Sequence, residues 1–189
     1  MYQQKYPIVL ASKSPRRQEL MTLMGLDFRV VLKEVDESYP RDLLPAEIAI
    51  FIAEKKAAAF AGEAAGQIVI TADTIVAYQK EILGKPEDES HAREILSKLS
   101  GTNHQVYTGV SISMGERLLS FYDVTEVFFR SLTEGEINHY IRNYNPMDKA
   151  GAYGIQDWIG FIAVEKIIGS YTNVMGLPTE KLYKALLSL

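Results

Sequence analysis

The chain contains no cysteine, three histidines and one tryptophan in 189 residues. Without cysteine there is neither a disulfide framework nor a thiolate metal site, and the composition fits a reducing compartment. The histidines His91, His104 and His139 are scattered, which argues against a zinc site or a histidine-based triad. His104 follows Asn103 in what reads as a turn and is expected to be structural. No apolar run approaches the ~20 residues that span a bilayer. The stretch Met1-Tyr2-Gln3-Gln4-Lys5 lacks the charged-then-apolar build of a secretory signal. Neither a G-x-x-x-x-G-K-[ST] phosphate loop nor a G-x-G-x-x-G fingerprint occurs. Positive charge is also in short supply: 20 Lys and Arg against 24 Asp and Glu leave a net charge of −4, which disfavours a nucleic-acid polymer as partner. A single nucleotide needs only a local positive cluster. These absences predict a soluble cytoplasmic protein with no membrane partner.

What is present is ordinary for a globular protein, with 47% apolar and 23% charged residues. The length suits one domain over 1–189. Strand and helix patterns alternate: strands over 7–11 and 28–32, helices over 15–24 and 45–61, a β-rich run over 67–72 that resumes over 75–78, and a helix over 88–99. In the 45–61 helix, Ile48, Phe51, Ile52, Ala59 and Phe60 are read as inward-facing. Long β-branched and aromatic runs over 105–113 and 118–129 flank Met114-Gly115-Glu116-Arg117 and read as a hairpin. A helix capped at Thr133, with Glu136 completing a capping box, follows over 134–144. Short strands are expected at 154–156 and 161–168, and a closing helix over 179–189. The simplest architecture is α/β: a mixed central sheet flanked by helices, antiparallel in its second half.

Four places could carry chemistry. The first is Ser12-Lys13-Ser14-Pro15-Arg16-Arg17, where a buried strand breaks into two hydroxyls and a helix opens on two arginines. Ser14 is a good N-cap and Pro15 a good first helical residue. Unpaired N–H groups at a helix start make an anion site, and guanidinium forks suit phosphate. Positive charge opposes the helix dipole at this end, so stability alone would favour acids there. A merely capped helix with solvated arginines is the plainer alternative. The second is Asp73, which interrupts the apolar run 70–76 although strand interiors disfavour aspartate. It is expected at a strand end facing a cleft or in a bulge, as a ligand for a hard cation or a general base, or else as a plain turn residue. Third come Lys55, Lys56 and Lys85, the last held in the turn Gly84-Lys85-Pro86, any of which is ordinarily a surface lysine. Fourth are the loop-like segments 148–156 and 168–178. The former ends in Gln156, whose amide offers the donor and acceptor that base-edge recognition requires.

In order along the chain these pieces resemble the Maf family of nucleoside triphosphate pyrophosphatases. The resemblance rests on L-A-S-x-S-P-R-R-x-E-L at 10–20, A-x-x-K-A at 53–57, A-D-T at 72–74, G-K-P at 84–86, K-A-G-A-Y-G-I-Q at 149–156 and G-L-P at 176–178. It implies a Ham1-like α/β fold with a cleft between two lobes, and hydrolysis of a nucleoside triphosphate between the α and β phosphates with a divalent cation, Mg²⁺ or Mn²⁺. By motif match Asp73 accepts the water proton and joins Glu37 as metal ligand, Ser12, Ser14, Arg16 and Arg17 hold the triphosphate, and Lys56 (rather than Lys55) and Lys85 complete the positive wall. Similarity to the subgroup with Arg16, Thr74 and Gln156 in these motifs implies dTTP and UTP, with modified pyrimidine analogues, as substrates in nucleotide-pool house-cleaning. A sister subgroup acting on 7-methyl-GTP departs at these positions. The resemblance also implies a homodimer and admits a different class of role, a regulatory nucleotide-binding protein that inhibits septum formation. A related enzyme for inosine or xanthosine triphosphate fits less well, because it lacks the S-x-S-P-R-R opening.

Overall fold

Parallel strands need a crossover to return the chain to the same end of the sheet, and the alternation in the N-terminal third supplies it twice. The computed structural model describes residues 3–189, so Met1 and Tyr2 of the stretch compared with a secretory signal lie outside the described residues. In chain order the elements are β1 (Ile8–Leu10), α1 (Pro15–Leu23), β2 (Phe28–Val30), α2 (Pro45–Ala58), β3 (Ile68–Tyr78), β4 (Glu81–Leu83), α3 (Glu89–Leu99), β5 (Asn103–Met114), β6 (Arg117–Phe129), α4 (Glu134–Tyr144), α5 (Trp158–Ala163), β7 (Val164–Ile168), α6 (Tyr171–Met175) and α7 (Thr179–Leu187). Short 3₁₀ turns occupy Pro146–Asp148 and Ala150–Ala152. The strands form one mixed seven-stranded sheet in the order β2-β1-β3-β5-β6-β7, with β4 paired to β3. The chain divides into two units, one of residues 1–73, 108–123 and 176–189, the other of 74–107 and 124–175. No helix among the described residues is long and apolar enough to cross a membrane.

In the first unit β1 is parallel to both neighbours, with Ile8, Val9 and Leu10 opposite Ile68, Val69 and Ile70 of β3. All six are buried, as the short unbroken apolar runs of a sheet covered on both faces should be. The helix α2 lies on this sheet through a stripe of small residues four apart, Ala49, Ala53 and Ala57, all buried, with Ile48 and Ile52 beside them. Its backbone comes so close to β5 that a Cβ on Gly109 would overlap the carbonyl of Ala49. The buried Thr71 hydroxyl on β3 donates to the Ala53 carbonyl at 2.7 Å, fixing the helix along its axis. The sequence places Ile48, Ile52 and Phe60 inward correctly, but Phe51 and Ala59 are only half-buried. An alanine stripe has too little hydrophobicity to stand out in a periodicity count, so the contact face is read one position off.

The second unit builds its core from Ile95, Leu96 and Leu99 of α3, Val106 of β5, Val127 and Phe129 of β6, and Ile137, Tyr140 and Ile141 of α4. Three expectations fail here. The 154–156 strand is a turn, closed by the Asp157 N–H donating to the Gly154 carbonyl at 3.0 Å. The 161–168 strand is helix α5 up to Ala163 and strand only from Val164. Ile159 and Ala163, four apart, are buried while Phe161 between them is 80% exposed, a helical pattern that a short apolar run conceals. The loop expected over 168–178 contains α6.

His104 is structural, as expected, but it is the second residue of β5 and not in a turn. It is 2% exposed, packs edge-on against Phe129 and Tyr153, and shares a 2.7 Å hydrogen bond between Nε2 and the Tyr153 hydroxyl. Burial lowers its pKa to about 3, while the unfolded chain titrates near ~6.5. Between these values the unfolded state binds the extra proton, so this contribution is complete above pH ~6.5 and is lost as pH falls toward 3. Urea unfolding of wild type and His104→Phe from pH 8 to pH 4.5 checks this. The wild type's relative stability is expected to fall about tenfold in the folding equilibrium per pH unit below 6; parallel curves would contradict it.

Candidate active site

The β1–α1 junction is where the first unit gathers its charge. β1 ends at Leu10, and its neighbour β3 runs on to Tyr78. Asp73 therefore sits three residues past the last β1 partner, Ile70, in a strand that continues unbroken through it. This corrects the expectation of a strand end, bulge or turn: the space beside Asp73 comes from the end of the neighbouring strand, a long-range fact that local propensity does not carry.

Ser14 caps α1, its hydroxyl accepting from the Arg17 N–H at 3.4 Å with Pro15 at the first helical position, as expected. Ser12 is buried, and its hydroxyl accepts from the Ser14 N–H and from Arg17 Nη1, each at 3.2 Å. Arg17 is not a solvated arginine. Its Nη1 also donates to the Ala72 carbonyl at 2.9 Å, and its Nε to the Gly176 carbonyl at 2.7 Å. Burial lowers its pKa and neighbouring Arg16 adds to this, while Asp73 and Glu37 act in the opposite direction. Such a side chain is a bracket: it ties the serine turn to β3 and to the segment before α7, with Arg16 beside it.

Lys56, on α2, reaches Asp73 Oδ1 at 2.7 Å and Glu37 Oε1 at 2.9 Å. The Lys56 and Asp73 side chains are 16% and 14% exposed, enclosed enough to feel each other's charge strongly and still open to solvent. Lys55, one residue back, points elsewhere and pairs with Asp36 at 3.0 Å and the Ser38 carbonyl at 2.9 Å. Hydrogen bonds from Ser38 and then Lys55 hold the exposed Asp36 carboxylate down to about 2. The structure thus separates two adjacent lysines that composition cannot.

The first unit brings together Ser12, Ser14, Arg16, Arg17, Glu37, Lys56 and Asp73. Thr74, Lys85 and Gln156 belong to the second unit. Thr74 follows Asp73 on β3, Lys85 is exposed in the loop after β4, and Gln156 lies in the turn before α5. The Gln156 Oε1 is buried without a hydrogen-bond partner among the described residues. Sequence reasoning missed Gly176, whose carbonyl anchors Arg17, and the polar partners of the 153–156 turn. A backbone carbonyl leaves no signal in residue identity, although Gly176 lies within the G-L-P motif.

No group of three or more His, Asp or Glu side chains that could hold a metal ion occurs among the described residues. Two carboxylates, Asp73 and Glu37, converge on Lys56. That donor set fits a Mg²⁺-type ion in a nucleotide site, which typically takes one or two carboxylates and fills its remaining positions with water and phosphate oxygens.

Residues 7–189 match the family model described as Maf-like protein. A dTTP/UTP pyrophosphatase of Bacteroides fragilis is 53% identical over 187 residues, covering 98% of this chain and 97% of its own. One from Flavobacterium johnsoniae is 50% identical over 186 residues, covering 98% and 96%. Among solved structures a HAM1 protein from Coxiella burnetii superimposes with a TM-score of 0.52 at 14% identity, over 97% of this chain and all of that one, a likeness of fold. The charged corner at the end of β1 is therefore the corner of a known fold, and the chain belongs to the Maf-like protein family.

Proposed function

We propose that this chain hydrolyses pyrimidine nucleoside triphosphates, dTTP and UTP, between the α and β phosphates to give the monophosphate and pyrophosphate. The observation that carries this is the Lys56–Asp73 pair beside the arginine bracket, because phosphoryl transfer depends on positioning and charge neutralisation more than on a covalent nucleophile. The names of the relatives from Bacteroides fragilis and Flavobacterium johnsoniae support the choice of substrate.

In this reading the triphosphate lies against Arg16, Ser12 and Ser14 at the start of α1, where the N-terminal backbone favours anions. Arg17 holds that turn in shape through Ser12, Ala72 and Gly176 and adds its charge. Lys56 holds Asp73 Oδ1, which turns the carboxylate so that Oδ2 takes a proton from the attacking water. Arg16, Arg17 and Lys56 against Asp73 and Glu37 leave one formal positive charge, three minus two. That is too little for a triphosphate; Asp73 and Glu37 would hold a divalent cation, Mg²⁺ or Mn²⁺, which would supply the balance and Lewis-acid polarisation of a phosphoryl oxygen. From the second unit, Lys85 is assigned to the phosphates and Thr74 and Gln156 to the base, each by its matching motif.

A substrate panel tests the reading. Initial rates on dTTP, UTP, CTP, GTP and 7-methyl-GTP are expected to favour dTTP and UTP, and Gln156→Glu, which loses the amide donor, is expected to flatten that preference by about tenfold or more. A preference for dTTP and UTP within about twofold of wild type in the variant would remove Gln156 from base recognition. A wild type that prefers 7-methyl-GTP would overturn the substrate assignment.

A further inference from the structure

A glutamine amide reads a base edge only if its oxygen and nitrogen are held in a fixed sense. Rotation by 180° exchanges donor for acceptor, and would let the same side chain accept a cytosine edge in place of a uracil or thymine one. Around Gln156 the second unit holds a buried polar chain that the reaction as described leaves without a task. The Tyr140 hydroxyl, on a residue with no exposure, donates to Asp157 Oδ2 at 2.7 Å and accepts the Gly154 N–H at 3.0 Å. Lys149, also buried, has its Nζ 3.7 Å from the same Asp157 oxygen and is anchored by the Asn145 carbonyl at 3.2 Å and Asp148 at 2.8 Å.

Asp157 stands at the N-cap position of α5, where an aspartate ordinarily accepts a helix N–H, yet it makes no capping bond. Its carboxylate is turned toward the 153–156 turn instead. A Cβ on Gly154 would lie 2.6 Å from Asp157 Oδ2 and 3.0 Å from Gln156 Nε2, so the carboxylate and the amide nitrogen border the same small space. The amide oxygen is the end left buried without a partner among the described residues. A carboxylate on one side favours the N–H₂ end there and turns the acceptor end the other way.

We infer that Asp157, aligned by Tyr140 and Lys149, is a positioning residue that fixes the sense of the Gln156 amide and so sets the preference for an N3–H base edge (uracil, thymine) over an N3-acceptor edge (cytosine). The inference rests on the proposed reading of Gln156. Asp157→Asn removes the charge and Tyr140→Phe removes the hydroxyl that aligns it, each at nearly constant volume.

The test measures kcat and KM for UTP and CTP in wild type, both variants and Ile141→Ala, a cavity in the same helix that loosens the unit without touching the polar chain. In Asp157→Asn and Tyr140→Phe the UTP/CTP ratio of kcat/KM is expected to fall about tenfold or more, through a lower KM for CTP and a higher one for UTP, with kcat on UTP within about twofold. Ile141→Ala is expected to lower the melting temperature and leave the ratio unchanged. A ratio within twofold of wild type in folded Asp157→Asn and Tyr140→Phe would overturn the inference while leaving the pyrophosphatase reading intact. An equal fall in Ile141→Ala would overturn it as well, by tracing the loss to loosening. Failure of the wild type to cleave UTP would overturn both.

Discussion

Asp73→Asn is expected to lower kcat on UTP by roughly 10²–10⁴, the range associated with loss of a general base, with its melting temperature within a few degrees of wild type. Asparagine keeps the volume and can still accept from Lys56 through its carbonyl oxygen, so the 2.7 Å contact has a substitute. What disappears is the negative charge and, in the proposed reading, the basic oxygen that receives the water proton. Because that reading lays the triphosphate against Arg16, Ser12 and Ser14, the loss is expected chiefly in kcat. Steady-state kinetics with thermal unfolding on the same preparation checks this. A variant that retains more than a tenth of wild-type kcat would remove Asp73 from the proton-accepting role.

The second large effect belongs to the scaffold. Gly109→Ala places a methyl group into the Ala49 carbonyl and 2.6 Å from the Ile50 nitrogen, backbone atoms that no rotamer change can move aside. Either β5 or α2 must shift. The cost is expected to reach about 3 kcal/mol, the upper part of the usual range for overpacking, or roughly a 10 °C fall in melting temperature for a chain of this size. Because α2 carries Lys56, the shift also draws the ammonium away from Asp73, and activity at 20 °C should fall more than the unfolded fraction explains. A melting temperature within 2 °C of wild type would mean that the helix has room the structure denies it.

These two residues also mark how far the sequence reaches. Ser14, Pro15 and the two arginines are legible locally, because a capped helix with cations in its first turn conflicts with its own dipole and so advertises a ligand. The hairpin of β5 and β6 and the Thr133 capping box were legible for the same reason: each is specified by neighbours in sequence, and the structure shows both. Asp73 stands out in the sequence as an anomaly, but its setting does not, since what exposes it is the end of β1, a neighbour in the sheet and remote in the chain. Composition does not separate Lys55 from Lys56; the A-x-x-K-A motif selects Lys56, and the pitch of α2 gives the reason, turning Lys55 toward Asp36 and Lys56 toward Asp73. Gly109 gave no warning at all, because the approach of α2 is set by the alanine stripe across the sheet. The turn at 154–156 reads as a strand because what holds it lies outside it: the Tyr140 hydroxyl accepts the Gly154 N–H, and the Asp157 backbone N–H donates to the Gly154 carbonyl.

If the corner formed by Ser12, Arg17, Lys56 and Asp73 serves cleavage between the α and β phosphates, the purified protein incubated with UTP and Mg²⁺ releases one pyrophosphate for each UMP and no orthophosphate. Measuring UMP, pyrophosphate and orthophosphate separately in wild type and Asp73→Asn tests this, with a parallel loss of UMP and pyrophosphate expected in the variant. Orthophosphate with UDP, or pyrophosphate release that survives Asp73→Asn undiminished, would contradict it.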